Sequence, residues 1–553
     1  MKFELPPNVT GLINVPLWGT EEPTEHLSGL RFSEIFVKKL KPDLAIRDRL
    51  KEIMGRIVCS IYSTDGDLEA TGKDLVEFHH IFQEYDYRNI FRSKWMWEFF
   101  YDLFIQLNDK SPLFSSLEFK ADVSAQALWT SFRKRWPELC RTEKTEAIEK
   151  LNGLVRFPRL YEILTRGPRG TKPDRELETL AAETAPWRKS ALSRVPLPEQ
   201  TRVMKLNRLL LEKTFPDQCP RYAEKAEVIP SVYDAVESLR WLYRFFITLL
   251  PPYPAADVYH SSAAAFCGLP CIIAKLKYGS KFLLTEHGIY VREQYLYASR
   301  ERMDLHTKRF LMGLIGLISR LNYFFADQIS PVCGYNTRWE TRFEDTAAKI
   351  KVIYNGIDTD RFRRISVERD ERPTVVMIAR IDPLKDIETF IRTCAEVKKK
   401  IPDVLFKLYG PQVDDAYFQK CQDLIAELKL EENFVFAGMT STPEIANNEG
   451  DIVLLTSISE AFPFSVIEGM ACEKVIISSD VGGTREVLEG YGYVVQPKNH
   501  REFAEKVIHA FEHPDLSAEM GIEARQRILN GFRTKDMIDS YRETYYSLAG
   551  GKP

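Results

Sequence analysis

From residue 231 onward, short apolar runs alternate with amphipathic stretches, and the chain punctuates them with Gly, Pro and acidic residues. Residues 232–250 have helical period. A short strand ends at His260, a helix follows over 263–277, and 281–285 reads as a buried strand closed by the turn Glu286-His287-Gly288. Helices over 305–324 and 336–343 alternate with strands over 328–330 and 350–354. A polar stretch, 358–372, separates this unit from a second one with the same grammar. There the strands are 374–378, 404–408, 433–437, 452–456, 475–478 and 493–496, and the helices are 386–399, 415–428, 443–448, 463–472, 484–488 and 501–511. Such alternation predicts the α/β class with doubly wound parallel sheets. Two Rossmann-like domains facing a cleft are expected: 1–357 with insertions, a linker at 358–372, and 373–535. A C-terminal helix in 536–553 is expected to cross back to the first domain. Ligands on such sheets bind beyond the carboxyl ends of the strands.

The first 230 residues carry a weaker pattern. Residues 50–54 read as a helix end, 57–62 as a strand, and Asp65-Gly66-Asp67 as a turn. The aromatic stripe over 91–107 has helical spacing and belongs to a core more often than to a ligand platform. Residues 164–198 are polar and rich in Pro, Gly and Arg, and read as a long loop or lid-like insertion.

Composition narrows the classes. At roughly 150 residues per domain, 553 residues call for at least two large domains. A net charge of −3 with no basic stripe excludes a nucleic-acid footprint. The nine cysteines are scattered; Cys267 and Cys271 lie four apart without a partner pair for zinc, so buried thiols in a reducing compartment are expected. No apolar run is long enough for a membrane span, and the first ten residues lack the marks of a signal peptide. A cytoplasmic protein is expected, with peripheral association at a membrane left open.

The candidate chemistry lies at strand ends of the second unit. Arg380 and Lys385 follow the strand at 374–378, where a guanidinium fork and an ammonium can clamp a diphosphate. Glu460 and Glu468 flank the run Ala461, Phe462, Pro463, Phe464, Ser465, with Pro463 placed in the first helical turn. The two carboxylates suit different hydroxyls of one elongated ligand, although two solvent-facing glutamates would read the same way. Gly482-Gly483 follows a strand and opens a helix, where backbone can approach a ligand and the helix end favours an anion. Gly410 and Gly438, also at strand ends, leave room for a base or simply permit turns. In the first unit His287 stands at a strand end, suited to a sugar hydroxyl or to developing charge, and its neighbour Glu286 can orient a ring or bind an acceptor. His260 more often reads as a packed residue.

The run from Glu460 to Glu468 resembles the E-x7-E motif of the GT4 family of retaining glycosyltransferases. LLTEHGIYVREQYL (283–296), KVIYNGIDTDRF (351–362), ARIDPLKDIETFI (379–391) and LLTSISEAFPFSVIEGMACEKVIISSDVGGTREVL (454–488) are similar to its PelF-type subgroup. The resemblance covers roughly 257–494 and implies a GT-B fold. It also implies transfer of a hexose, glucose foremost, from a UDP-sugar to a growing polysaccharide or other hydroxyl acceptor, as in exopolysaccharide synthesis at the inner face of a bacterial membrane. By the same resemblance Glu460 contacts the donor sugar, Glu468 the ribose, and Arg380 and Lys385 the diphosphate. His287 lies near the reacting carbon, and 461–465 offers backbone N–H groups. The implied partners are UDP-hexose, a glycan acceptor and a membrane polysaccharide synthase complex. No cofactor or metal is expected beyond the donor, since the cations and helix terminus can carry a metal's role. The chain start departs from the family: NVTGLINVPLWG (8–19) has isolated glycines and no matching strand–loop–helix, so the first strand is expected to be missing, degenerate or supplied otherwise. That departure motivates the alternative of a non-catalytic UDP-sugar-binding subunit of such a complex. A nucleotide-sugar epimerase is a third, weaker reading.

Overall fold

The computed structural model describes residues 12–15, 42–108 and 232–550, apart from positions 65, 86, 92, 301, 302, 304, 344 and 345. The loop expected at 164–198 lies outside them. The described chain forms two compact units. One comprises Thr285–Ile289 and the chain from Asp327 onward; the other comprises the remaining described residues up to Leu284 together with Tyr290–Ala326.

The unit built from the earlier residues begins with β1 (Leu12–Val15). A first strand is thus present inside the segment where the sequence offers no family pattern. The LINV run is short, but it finds a partner distant in the chain. Helices α1 (Leu44–Ile61), α2 (Leu68–Glu84), α3 (Tyr87–Phe91), α4 (Lys94–Asn108) and α5 (Val232–Ile247) follow. The strand expected at 57–62 is instead the end of α1. Leu50, Ile53, Met54, Ile57, Val58 and Ile61 are all buried, and their spacing is that of one helical face, so the 3.6-residue period overrides the β-branched composition. Asp43 caps α1, accepting from Ile46 N at 2.9 Å. Strand β2 (Val258–Ser261) lies parallel between β1 and β3 (Lys281–Glu286), with α6 (Leu269–Tyr278) in the β2–β3 crossover. Helices α7 (Tyr290–Arg300) and α8 (Leu305–Phe325) complete the unit. The aromatic stripe is core here: Phe99, Phe100 and Phe104 are buried, and Phe100 and Phe104 both pack on Phe310 of α8.

The other unit opens with β4 (Gln328–Pro331) and α9 (Gly334–Glu340). The strand expected at 350–354 is reduced to a bridge between Ile350 and Ile329, with Lys351 N–H and Ile353 N–H donating to Ile329 O and Pro331 O. The rest of the unit alternates strand and helix: β5 (Thr374–Ile378), α10 (Ile387–Lys398), β6 (Leu405–Tyr409), α11 (Asp415–Glu427), β7 (Phe434–Gly438), α12 (Pro443–Glu449) and β8 (Ile452–Leu455). Then come α13 (Phe464–Ala471), β9 (Val475–Ser479), α14 (Thr484–Leu488), β10 (Tyr493–Val495) and α15 (His500–Glu512). Helices α16 (Pro514–Leu529), which the sequence reading left unassigned, and α17 (Thr534–Leu548) close the chain. All strand pairs of the six-stranded sheet are parallel, in the order β10-β9-β8-β5-β6-β7. Strands such as β8 (IVLL) and β9 (VIISS) are buried throughout, as a sheet covered on both faces requires. Parallel α/β sheets in both units agree with the GT-B class. Seven cysteines among the described residues are free and buried.

Candidate functional site

The six-stranded sheet reverses its winding between β5 and β8. From β5 the chain winds outward through β6 and β7, then returns to lay β8, β9 and β10 on the other side. A crevice beyond the strand ends forms at such a switch point, and the loops after β5 and β8 meet there. Ile458 donates its N–H to Leu384 O at 2.9 Å. The Thr456 hydroxyl donates to the carbonyls of Lys385 at 2.9 Å and Asp386 at 3.0 Å. Asp386 itself stands at φ 48°, in the left-handed region, and caps α10 by accepting from Thr389 N–H at 3.4 Å, while Thr389 Oγ1 donates to its other oxygen at 2.7 Å. Burial raises the pKa of its carboxyl, and the bonds from Thr389 oppose that shift.

Thus fixed, the two loops bring Lys385 against Glu460. Nζ and Oε1 are 2.5 Å apart, and the side chains are only 20% and 13% exposed. A charge pair so withdrawn holds when each partner answers the other's loss of water. Arg380 is different: 61% exposed, with its guanidinium 3.4 Å from Asp382, it is open to an incoming anion. Asp382 also accepts from Leu384 N–H at 2.8 Å, which shapes the turn.

The loop before α13 is held from the other side. Gly482 has φ 58°, and a Cβ there would stand 2.1 Å from Glu460 O. Gly483 donates its N–H to Ala461 O at 2.6 Å, and the Cys333 thiol donates to the same oxygen at 3.4 Å. The close approach expected of Gly482-Gly483 is therefore made to the Glu460–Ala461 backbone. With the Gly483 N–H engaged by Ala461 O, this turn braces the carboxylate loop. Pro463 lies one residue outside α13, as its extended cap. Phe464 and Ser465 then begin the helix, with first-turn N–H groups that have no intrahelical acceptor. Phe462 is buried and stacks on Phe532, whereas Phe464 is exposed.

Glu468 lies on α13, largely enclosed. Burial pushes its pKa up to about 7, with the Arg361 guanidinium opposing the shift and the Glu444 carboxylate adding to it. Arg361 and Glu444 pair at 2.7 Å. The sequence reading missed Arg361, although it lies inside the quoted 351–362 run. At the far side of β5, a Cβ on Gly410 (φ 155°) would meet Ala379 O at 1.8 Å, which keeps the backbone before Arg380 close to β6. Gly410 N–H donates to the carbonyl of Gly438, which has open space beside it.

His287 follows β3 in the same unit. The residue is exposed, yet desolvation by the protein around it lowers its pKa below the ordinary value. The link to the carboxylate loop is indirect. Val332 N–H donates to Glu286 O at 3.2 Å, and the next residue, Cys333, reaches Ala461 O. Glu486, another residue the sequence reading passed over, accepts from the N–H groups of Gly334 and Tyr335 and from the Tyr354 hydroxyl. His260 is buried in β2 of the other unit, consistent with packing. Among the described residues no group of three or more His, Cys, Asp or Glu side chains is placed to hold a metal ion, and no helix is long and apolar enough to cross a membrane.

Residues 358–527 match a family model described as glycosyl transferases group 1, and residues 171–348 match one described as a domain of unknown function (DUF3492). The chain is 31% identical over 190 residues to a trehalose synthase of Pyrococcus horikoshii, covering 32% of this chain and 45% of the relative. It is 27% identical over 173 residues to a poly(ribitol-phosphate) α-N-acetylglucosaminyltransferase of Staphylococcus aureus, covering 31% and 34%. The chain thus spans less than half the length of these relatives. Among solved structures, a sucrose-phosphate synthase of Thermosynechococcus elongatus is similar at 21% identity and a TM-score of 0.47, covering 53% of this chain and 74% of that one.

Proposed function

We propose that this chain, whose residues 358–527 are a glycosyl transferases group 1 domain, transfers a hexose from a UDP-sugar to a hydroxyl acceptor with retention at the anomeric carbon. The observation that carries the reading is the Lys385–Glu460 pair at the β5–β8 switch point, with the enclosed Glu468 carboxyl eight residues further on. An ammonium has three donors. Lys385 can therefore keep Glu460 oriented while donating to a diphosphate oxygen. Arg380 is exposed enough to add a bidentate contact, and the first-turn N–H groups of Phe464 and Ser465 supply neutral donors to the donor's oxygens. The second Glu460 oxygen accepts a sugar hydroxyl, and Glu468 accepts from the ribose diol.

In the reaction the bond from the anomeric carbon to the diphosphate oxygen breaks and its electron pair leaves with UDP. The acceptor oxygen bonds to the same face of that carbon, and the acceptor's proton passes to the departing phosphate oxygen. Charge on that phosphate is stabilised by Lys385 and Arg380, an electrostatic contribution worth on the order of 10²–10³ in rate per contact. His287, held neutral by its surroundings, hydrogen-bonds the sugar near the reacting carbon. Glucose as the hexose, a growing polysaccharide as the acceptor and a synthase complex at the cytoplasmic membrane face as the setting follow from the PelF-like segments, and they are part of the proposal. So is independence from any metal or cofactor besides the donor.

A thermal-shift panel of UDP-, GDP- and ADP-glucose, followed by UDP-release assays on wild type, Lys385→Ala and Glu460→Gln, tests the reading. The largest shift is expected with the UDP-sugar, and near-complete loss of turnover in both variants. Normal turnover by both variants would overturn the assigned roles.

A further inference from the structure

One pair of carboxyl groups has no part in the scheme above. Glu286 ends β3 and Glu340 ends α9, and both side chains are fully buried, at 0% exposure. Neither oxygen of Glu340 receives a hydrogen bond from an N–H or hydroxyl group of the described residues; the polar group it meets is the carboxyl of Glu286. Two ionised carboxylates are acceptors only, and two like charges without water between them repel strongly. Glu340, fully buried and with no donor among the described residues to answer an ionised carboxylate, is therefore held with its proton on. Burial, and then the Glu286 charge, hold the Glu340 carboxyl well above the usual carboxylate range.

Among the described residues no cationic side chain hydrogen-bonds Glu340. Cys333, at the head of α9, has its thiol pushed up to about 12 by burial and stays neutral. Glu486 of α14 is engaged at the opposite end of α9 by Gly334 and Tyr335. From α17, Tyr541 meets Thr285 at 2.9 Å and its phenol is raised by burial, so it too stays neutral. His287, with its lowered pKa, is neutral at alkaline pH. The residue that Glu340 touches, Glu286, immediately precedes His287, and its carbonyl is tied through Val332 to the turn that braces Ala461.

We propose that Glu340 is a positioning residue: protonated, it donates a hydrogen bond to Glu286 and so holds the His287 turn in register with the carboxylate loop. The kinetic side of this rests on the glycosyltransferase reading. Deprotonation of Glu340 leaves a buried carboxylate without a donor against an acceptor, breaks the bond to Glu286, loosens the turn, and removes activity at alkaline pH.

Two measurements on the full chain test it. The first is the infrared carbonyl band of a protonated carboxyl, recorded near neutral pH without substrate. Because Glu468 is also partly protonated there, the reading is the wild type minus Glu340→Gln difference: a carbonyl band in that difference is expected, and identical spectra overturn the proposal. The second is kcat against pH for UDP-hexose turnover. Glu340→Gln keeps a permanent donor toward Glu286, so it should retain neutral-pH activity and lose the alkaline fall of the wild type. Glu340→Ala should lower kcat by about tenfold, the scale of one unsatisfied buried polar contact, with KM for the donor little changed. Identical alkaline limbs in wild type and Glu340→Gln also overturn the idea. If wild type turns over no UDP-sugar at all, the glycosyltransferase reading fails, and the infrared result still decides the protonated pair.

Discussion

Glu460 and Glu340 are carboxyl side chains withdrawn from water in the same unit, and their regions treat them oppositely. At the end of β8, Glu460 faces an ammonium 2.5 Å away and keeps enough exposure, 13%, for a ligand to reach it. At the end of α9, Glu340 is sealed and faces another carboxyl. The first keeps an ammonium beside a carboxyl that sugar hydroxyls can reach; a like group beside the second leaves it to hold a proton and donate. The same residue type serves two purposes because the cost of burying charge is offset only by an opposite charge or a proton.

Breaking the ion pair is the largest expected effect. Lys385→Ala leaves Glu460 uncompensated and deprives the diphosphate of its cation, so turnover should fall by about 10²–10³ in a UDP-release assay. A fall of less than about tenfold would sink the clamp. The brace behind the pair comes next. Gly482→Ala forces a Cβ to within 2.1 Å of Glu460 O at φ 58°, and should cost about 1–3 kcal/mol, seen as a lower Tm. An unchanged Tm would show that the 460–461 loop is not held by this turn.

Glu468 sharpens the contrast, because it lies between the two extremes with a pKa of about 7. Ribose hydroxyls donate to its ionised form, so binding should favour loss of the proton. The donor Kd should therefore fall as pH rises toward about 7 and level off above it, by up to about tenfold per pH unit. Glu468→Gln should flatten this profile in calorimetric titrations; the same slope in the variant would place the titration elsewhere. The smallest effect concerns stability. Glu340 holds its proton in the folded chain at pH values where the unfolded chain has released it. Its contribution is therefore full in acid and is lost as pH rises from the ordinary carboxyl range to the raised folded value. Denaturant midpoints of Glu340→Gln should gain on wild type toward alkaline pH, and parallel curves would remove the shared proton.

Much of the second unit was legible in the sequence. The strands at 374–378 and 475–478 and the helix at 415–428 lie within a residue or so of the observed elements, because a sheet buried on both faces writes itself as short apolar runs between amphipathic helices. Glu460, Arg380 and Lys385 were legible as polar groups after strand ends, and Glu468 as a carboxyl in the helix that follows. Three features were not. The run 57–62 has strand composition yet is helix, since only the packing around Leu50, Ile53 and Ile57 reveals which period is used. The strand at Leu12–Val15 is four residues long and exists through pairing with Val258–Ser261. Gly482-Gly483 has the local pattern of an anion site, but its N–H goes to Ala461.

By itself the sequence determined the alternation of elements and the chemistry available at the strand ends, because periodicity and turn residues act between near neighbours. Tertiary structure decided which of those groups meet. The order β8-β5 in the sheet brings Lys385 to Glu460 across 75 residues, and the end of α9 brings Glu340 to Glu286. Whether a carboxyl becomes an ion or an acid follows from that meeting, since electrostatic energy in a buried place depends on distance and partner rather than on position along the chain.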